Sequence, residues 1–138
     1  MQFNPYLNFD GNAREAFLFY KSVFGGDLAM MEVGSVPDGD QFPKEEQSRL
    51  MHVSLPLPNG QLLMASDIFP SMGQSLNQGN HNYISITVDS REQADYYFEN
   101  LSFNGEIEMP LEDMFWGDYF GSFRDQFGVY WMISYENK

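Results

Sequence analysis

Two histidines, His52 and His81, are the side chains of this sequence best suited to exchange a proton near neutral pH. Each lies in or beside a stretch with the alternation of polar and apolar residues that indicates a β-strand, and each falls on the polar side of that alternation. We predict His52 as a catalytic acid or base. The alternative for His52 is a half-buried histidine that is hydrogen-bonded to a neighbour. His81, near a strand start, is predicted to contact a ligand.

Two further side chains could bind a small molecule. Arg124 could hold a carboxylate or phosphate of a ligand, or it could pair with one of the 20 acidic residues. Trp116 follows Phe115 in a predicted loop, where the two aromatic rings could cap a cleft or form a dimer interface. By contrast, turn and strand-end roles account well for Asp67 and Asp125.

Several kinds of chemistry lack their sequence signals. There is no cysteine, and therefore neither a thiolate metal site nor a cysteine nucleophile. No glycine-flanked serine elbow or phosphate loop is present, because Gly25-Gly26 follows a predicted helix instead of opening one. The glycine-rich turn from strand to helix that is common in S-adenosylmethionine sites is also missing from the sequence.

Charge and composition narrow the class of partner. The 138 residues carry 7 basic and 20 acidic side chains, a net charge of −13. We therefore expect no nucleic-acid partner, since binding to a phosphate backbone needs clustered Lys and Arg. The sequence has no apolar run long enough to span a membrane and no signal-peptide pattern, so the expected location is the cytoplasm.

The elements that must position these residues occur twice. An offset of 79 residues superposes the motif that begins at Leu7 on the one that contains Ile86, matching Asp10 to Asp89 and Gly26 to Gly105. Each copy predicts a strand, a helix and three further strands. The predicted helices run to Phe24, capped by Asp10 or Asn12, and over 91–103, capped by Asp89 or Ser90. The eight predicted strands, four in each copy, are 3–9, 27–35, 48–57, 61–66, 81–88, 106–109, 119–124 and 129–135.

Two turn glycines set the hairpin register. Gly60 and Gly128 each close a predicted type I turn. They lie 68 residues apart, fewer than the offset of 79 between the two motifs, because an acidic loop, 36–47, lengthens the first copy. This register places Ser54 opposite Met64 and Ser122 opposite Met132. It gives each sheet one apolar face that covers the helices and one face of mixed polar and aromatic character. The predicted apolar set is Phe3, Leu7, Phe9, Val53, Leu63, Ile84, Ile86, Val88, Trp131 and Ile133.

Three blocks of the sequence carry a family resemblance: PYLNFDGNAREAFLFYKSVFGG from Pro5, the hairpin MHVSL…NGQLLMASD, and FWGDYFGSFRDQFGVYWMI from Phe115. They resemble the PhnB-like branch of the vicinal oxygen chelate superfamily, which includes glyoxalase I, extradiol dioxygenases and bleomycin-resistance proteins. The resemblance implies an α+β fold, a single domain of two βαβββ modules that form a curved mixed sheet cleft backed by helices. The modules would be about 1–67 and 81–138, with a linker at 68–80. It also implies a homodimer with its contact near Phe115, Trp116, Tyr6 and Asn8.

The superfamily's metal-ligand positions, carried onto this sequence, fall on Asn4, Met64, Tyr83 and Met132. Neither amide, phenol nor thioether is a good ligand for the divalent ions that the superfamily uses. We therefore predict no metal and no cofactor.

The predicted function is binding of an unidentified small molecule in the cleft between the modules. The alternative is a glyoxalase-like lyase or dioxygenase-type enzyme, with His52 as acid or base or with a metal at a non-standard position. The sequence does not support the methyltransferase label that some relatives carry. Predicted ligand-binding residues are Asn4, Tyr6, Asn8, Ser54, Met64, Ser66, His81, Tyr83, Ser85, Trp116, Arg124, Tyr130 and Met132.

Overall fold

The protein has an α+β fold with two compact units, as the predicted repeat requires. A computed structural model describes residues 1–137, with the first unit covering residues 1–77 and the second beginning at Gln78. Each unit has one helix and a four-stranded mixed sheet. Within residues 1–137, no helix has the length and apolar character that a membrane crossing requires.

The first unit consists of β1 (Tyr6–Phe9), α1 (Ala13–Phe24), β2 (Ala29–Glu32), β3 (Leu50–Pro56) and β4 (Leu62–Asp67). The second unit consists of β5 (Ile84–Val88), α2 (Arg91–Leu101), β6 (Glu106–Asp113), β7 (Asp118–Arg124) and β8 (Tyr130–Glu136). The strand orders are β1-β4-β3-β2 and β5-β8-β7-β6. The first strand of each unit runs parallel to the last, and the other pairs are antiparallel. The two units therefore share one topology.

The predicted hairpin registers are confirmed. Ser54 pairs with Met64 and Ser122 pairs with Met132. Gly60 and Gly128 have φ angles of 76° and 90°, in the left-handed region expected of both glycines. Asn59 is also left-handed, with φ 67°, so the turn at Gly60 is not the predicted type I turn although the register is the predicted one. Each sheet consequently separates its two faces as the alternation predicted.

Of the ten predicted apolar residues six are buried, three (Leu7, Ile84 and Ile86) are half-buried, and Phe3 is exposed. Phe3 is 91% exposed, because β1 begins only at Tyr6 and no strand carries Phe3 toward the helix. The buried members are Phe9, Val53, Leu63, Val88, Trp131 and Ile133. On α1 the buried residues follow helical spacing and complete this core: Ala13, Ala16, Phe17, Tyr20 and Val23.

The start of α1 differs from prediction. Asn12 occupies the N-cap position, but its side chain makes no capping hydrogen bond. Instead, the Ala13 N–H donates to Asp67 Oδ1 at 3.0 Å, and the Leu50 N–H donates to Asp67 Oδ2 at 2.8 Å. A cap supplied from 54 residues away cannot be read from local sequence. In α2 the predicted Ser90 cap is confirmed, accepting from the Gln93 N–H.

Strand β6 is longer than predicted and reaches Asp113. The predicted strand ends at 109, just before Pro110, but β6 is an edge strand, where a proline that lacks a donor is tolerated. Phe115 and Trp116 consequently lie in a tight turn between β6 and β7, closed by a hydrogen bond from the Met114 N–H to the Asp118 carbonyl.

The segment 68–80, predicted as a linker, begins inside the first unit. Ile68 and Phe69 are buried, and Ser71 donates hydrogen bonds to Glu46 from both its N–H and its hydroxyl. Glu46 is itself only 6% exposed. The acidic composition of 36–47 predicts a solvated loop, and this prediction is wrong at Glu46, whose carboxylate anchors the segment that follows β4.

Candidate functional site

The helix-free face of each sheet carries the predicted mixture of polar and aromatic side chains. The strand register sets Asn8 beside Ser66, and it sets Met64 between Tyr6 and Ser54. These side chains are half-buried or exposed, unlike the residues on the opposite face. We call this the polar face of the first unit and refer to its counterpart as the polar face of the second unit.

On the first polar face, Tyr6 and His52 form a hydrogen-bonded pair. The Tyr6 hydroxyl lies 3.1 Å from His52 Nδ1, and the ring centroids are 5.7 Å apart. Tyr6 is on β1 and His52 on β3, so the contact passes over β4. Among residues 1–137 no side chain or backbone group bonds the other ring nitrogen, Nε2. His52 thus has one nitrogen positioned by a neighbour and one available to a ligand.

Asn4 has a role at the end of the sheet. Its Oδ1 accepts a hydrogen bond from the Leu62 N–H at 3.1 Å, just beyond the parallel pairing of β1 with β4. Its Nδ2 donates to Gln2 Oε1. The Asn4 side chain therefore extends the pairing of β1 with β4, and its amide oxygen is occupied by the Leu62 N–H.

On the second polar face, two side chains donate hydrogen bonds to a residue that the sequence prediction did not include, Glu108. Glu108 Oε1 accepts hydrogen bonds from the Tyr83 hydroxyl at 2.9 Å and from the Ser122 hydroxyl at 3.3 Å. Tyr83 also packs against Tyr130, with ring centroids 5.3 Å apart. The result is a group of two aromatic rings, a serine and a carboxylate on one face.

Glu108 reaches this group because of a β-bulge. Ile107 pairs with Phe123 and Met109 pairs with Ser122, so Glu108 is an extra residue of β6 with no partner of its own on β7. Bulges redirect side chains and are frequent beside binding sites. In the sequence, the only hint that Glu108 belongs to the site is that acidic residues alternate at Glu106 and Glu108. The bulge depends on how β6 pairs with β7, so it cannot be read from the sequence of β6 alone.

Hydrogen bonding to a carboxylate changes the acidity of the tyrosine. The pKa of Tyr83 is raised, first by the hydrogen bond that it donates to Glu108, then by burial and by the negative charge of Glu108. At neutral pH Tyr83 is therefore a protonated donor, and it is unsuited to act as a base.

Arg124 makes only long contacts on the same face. Its Nη1 lies 4.0 Å from Glu106 Oε1, and its Nη2 lies 3.5 Å from Gln78 Oε1. Both roles predicted for Arg124, binding an anionic group of a ligand and pairing with an acidic residue, therefore stay open. The guanidinium faces Glu106, but neither of its contacts is short enough to prevent it from binding a ligand.

The other predicted residues of the second unit are more scattered. Ser85 pairs with Met132 across the β5–β8 ladder. His81 is exposed, lies before β5, and makes no side-chain hydrogen bond within the described part of the chain. Trp116 donates to Asp118 from Nε1 at 3.2 Å and packs near Phe120, at the turn between β6 and β7. The structure groups neither His81 nor Trp116 with Tyr83.

A second polar network, also not anticipated, holds α2 to the sheet. The Arg91 guanidinium binds both oxygens of Asp113, at 2.8 and 3.0 Å, and lies 4.0 Å from the Tyr119 ring centroid. Arg91 lowers the pKa of Asp113, while a hydrogen bond donated to Asp95 raises the pKa of Tyr119. Every member belongs to or contacts α2 and the adjoining strands, so the network is structural.

The residues at the superfamily's metal positions do not fit a divalent ion. Asn4 Oδ1 is engaged with a backbone N–H, and the Tyr83 hydroxyl is engaged with Glu108. Met64 and Met132 offer thioethers, which favour soft metals. Within residues 1–137, no three or more His, Cys, Asp or Glu side chains are grouped so that they could hold a metal.

This chain matches known proteins over nearly its whole length. The model of the Glyoxalase/Bleomycin resistance protein/Dioxygenase superfamily matches residues 2–133. Protein YjdN of Escherichia coli K12 is 30% identical over 148 residues, covering 97% of this chain and 95% of YjdN. The crystal structure of PA1353 from Pseudomonas aeruginosa has 38% identity and a TM-score of 0.87, covering 100% of this chain and 99% of that one.

A third relative shares the fold at lower identity. It is the putative 3-demethylubiquinone-9 3-methyltransferase, PhnB protein, from Bacillus cereus, with 24% identity and a TM-score of 0.76 over 98% of this chain and 99% of that one. At this identity the likeness concerns the fold alone.

Proposed function

Because this chain belongs to the Glyoxalase/Bleomycin resistance protein/Dioxygenase superfamily, we propose that it is a PhnB-like protein that binds a small molecule on the polar faces of its sheets. Membership of the superfamily is confirmed by the family match over residues 2–133, and the PhnB-like branch is the finer part of the proposal, supported by the resemblance of the sequence. The family leaves the ligand open, since one fold hosts many functions. The proposal is therefore based on the side chains of this chain.

The observation that carries the proposal is the same in both units. Each polar face holds a tyrosine hydroxyl in a hydrogen bond with a titratable side chain, Tyr6 with His52 and Tyr83 with Glu108. All four side chains remain exposed or half-buried. Aromatic surface with a few placed hydrogen-bonding groups is the typical lining of a small-molecule site.

We propose further that binding does not use the superfamily's usual metal. The support is chemical: two thioethers, an amide that is engaged in the sheet and a phenol that is engaged with Glu108 stand at the ligand positions. The homodimer and the cytoplasmic location expected from the sequence are part of the same proposal, and they stay predictions.

An enzymatic function is the second candidate, and one observation favours it. Tyr6 fixes His52 through Nδ1 and leaves Nε2 open on an exposed face, which is the arrangement that an acid or base catalyst needs. A methyltransferase activity is not proposed, because the sequence lacks the expected S-adenosylmethionine turn and the relative that bears that label shares the fold alone.

The experiment is a screen of small metabolites by NMR, run on 15N-labelled protein in the presence of EDTA. We expect a binder whose shift changes map to Tyr6 and His52 or to Tyr83 and Tyr130. For a binder that maps to the first unit, His52→Ala should weaken binding or abolish turnover with little change in stability. Lys21→Ala, which truncates an exposed side chain on α1 away from the proposed site residues, is the control and should change neither. Binding that requires added metal, or binders that map only outside both polar faces, would contradict the proposal.

A further inference from the structure

The second polar face contains an uncommitted carboxylate oxygen beside two aromatic rings. Glu108 Oε1 receives both hydrogen bonds, from Tyr83 and Ser122. Among residues 1–137, Oε2 accepts no hydrogen bond and Glu108 has no ion-pair partner. Glu108 is exposed, so Oε2 is accessible to a ligand.

The hydrogen bonds to Oε1 position the carboxylate. Tyr83 and Ser122 approach from different elements, and they hold Glu108 at the bulge of β6. A group that is held in this way loses less freedom when a ligand binds to it. The free oxygen therefore presents a fixed acceptor next to the Tyr83 and Tyr130 rings.

The charges on this face favour a cation. Arg124, the basic side chain on this face, lies 4.0 Å from Glu106, whereas Glu108 has no ion-pair partner within the described chain. Aromatic faces attract cations through the ring quadrupole, and the chain as a whole carries a net charge of −13. An anionic ligand would meet Glu108 without compensation.

We propose that the group formed by Glu108, Tyr83 and Tyr130 binds the ammonium of a small organic amine. The ammonium donates a hydrogen bond to Glu108 Oε2, and the organic part packs against the two tyrosine rings. This inference names a ligand class for the proposed function and rests on it. A catalytic step is not required.

The test uses three probes of one shape and different charge: benzylammonium, benzyl alcohol and benzoate. Binding of each to the whole protein is titrated by NMR at low ionic strength. We expect benzylammonium to bind most tightly, and added salt to weaken it, since screening reduces an exposed charge interaction. Shift changes should centre on residues 83, 108, 122 and 130.

The variants isolate the charge of the carboxylate. Glu108→Gln keeps an oxygen that can accept from Tyr83 but removes the negative charge, and it should weaken benzylammonium binding about tenfold, as expected for a hydrogen bond to a charged group. Glu112→Gln makes the same charge change on the same exposed strand, and it should leave binding unchanged.

The outcomes separate this inference from the proposed function. If benzyl alcohol or benzoate binds this face as tightly as benzylammonium, or if Glu108→Gln has no effect, the amine inference is wrong while small-molecule binding stands. If none of the probes binds here, the amine inference is wrong, and the metabolite screen decides the proposed function by itself.

Discussion

Tyr83 and Glu108 stand at opposite edges of one four-stranded sheet, yet the Tyr83 hydroxyl lies 2.9 Å from Glu108 Oε1. Tyr83 immediately precedes β5, Glu108 is on β6, and β8 and β7 lie between those strands. Neighbouring strands are about 4.8 Å apart, so edge backbones of a flat sheet would be about 14 Å apart. Two side chains bridge that distance over the polar face.

The first prediction follows from this bond. Glu108→Gln should lower the pKa of Tyr83 toward its ordinary value of 10.0, because the bond to the carboxylate is the largest cause of the upward shift. Titration of the tyrosine Cζ resonances by NMR measures the change. Glu112→Gln should leave the Tyr83 titration as it is in the wild type. An unchanged Tyr83 pKa in Glu108→Gln would show that burial dominates.

The same shift fixes the sign of a stability effect. A pKa that is raised on folding means that the folded state holds the proton more tightly than the unfolded state. The contribution of Tyr83 is therefore fully present below its unfolded pKa of about 10 and is lost as the pH rises through the folded pKa. The stability difference between wild type and Glu108→Gln should be constant near neutral pH and shrink in alkali.

The polar faces could be predicted from sequence because they depend on alternation and on the turn glycines. Gly60 and Gly128 determine the hairpin registers, and the registers determine which side chains share a face. The pairing of Ser54 with Met64 could therefore be predicted from the position of Gly60 alone. The pairs that act across strands, Tyr6 with His52 and Tyr83 with Glu108, could not be predicted, because they depend on how side chains reach over an intervening strand.

Two other features lay beyond the reach of local sequence patterns. The bulge that exposes Glu108 depends on how β6 pairs with β7, and Pro110 concealed the true length of β6. The helix cap from Asp67 comes from the far end of the unit, whereas the signals for a cap that can be read from sequence lie within a few residues. Contacts that are distant in sequence account for these differences.

Asp67 provides the second prediction. Asp67→Ala should lower the free energy of unfolding by about 3 kcal/mol, because it leaves the Ala13 and Leu50 N–H groups buried without acceptors. Urea denaturation measures the loss. Asp10→Ala is the control: Asp10 is 58% exposed, and Arg49 keeps its hydrogen bond to the Ile68 carbonyl when Asp10 is removed, so the loss should be less than about 1 kcal/mol. A larger loss for Asp10→Ala would restore the local cap predicted from sequence.

The third prediction concerns metal. Micromolar Zn²⁺, Ni²⁺ or Fe²⁺ should not raise the melting temperature, because a ligand stabilises the folded state only in proportion to its binding there. Thermal denaturation with and without EDTA measures this, together with metal analysis of protein purified without a histidine tag. A saturable increase of several degrees that is lost in Tyr83→Phe would show that the proposal of metal-free binding is wrong.

The fourth prediction concerns assembly. Phe115 is 97% exposed and Trp116 is 51% exposed, and both project from the turn between β6 and β7. Large apolar side chains that protrude together often mark a contact surface, and a two-fold dimer would bury this patch on both subunits. Light scattering at micromolar concentration should report about twice the chain mass of 16.0 kDa.

A pair of matched variants tests which surface holds the dimer. Phe115→Ser should shift the equilibrium toward monomer with little effect on folding, because the ring has almost no contact area to lose within its own chain. Phe103→Ser removes another exposed phenylalanine, 62% exposed just beyond the end of α2, and it should leave the measured mass unchanged. A wild-type monomer would show that the homodimer prediction is wrong. A dimer that survives Phe115→Ser would instead place the contact elsewhere, leaving the Phe115-Trp116 turn free to close over a ligand.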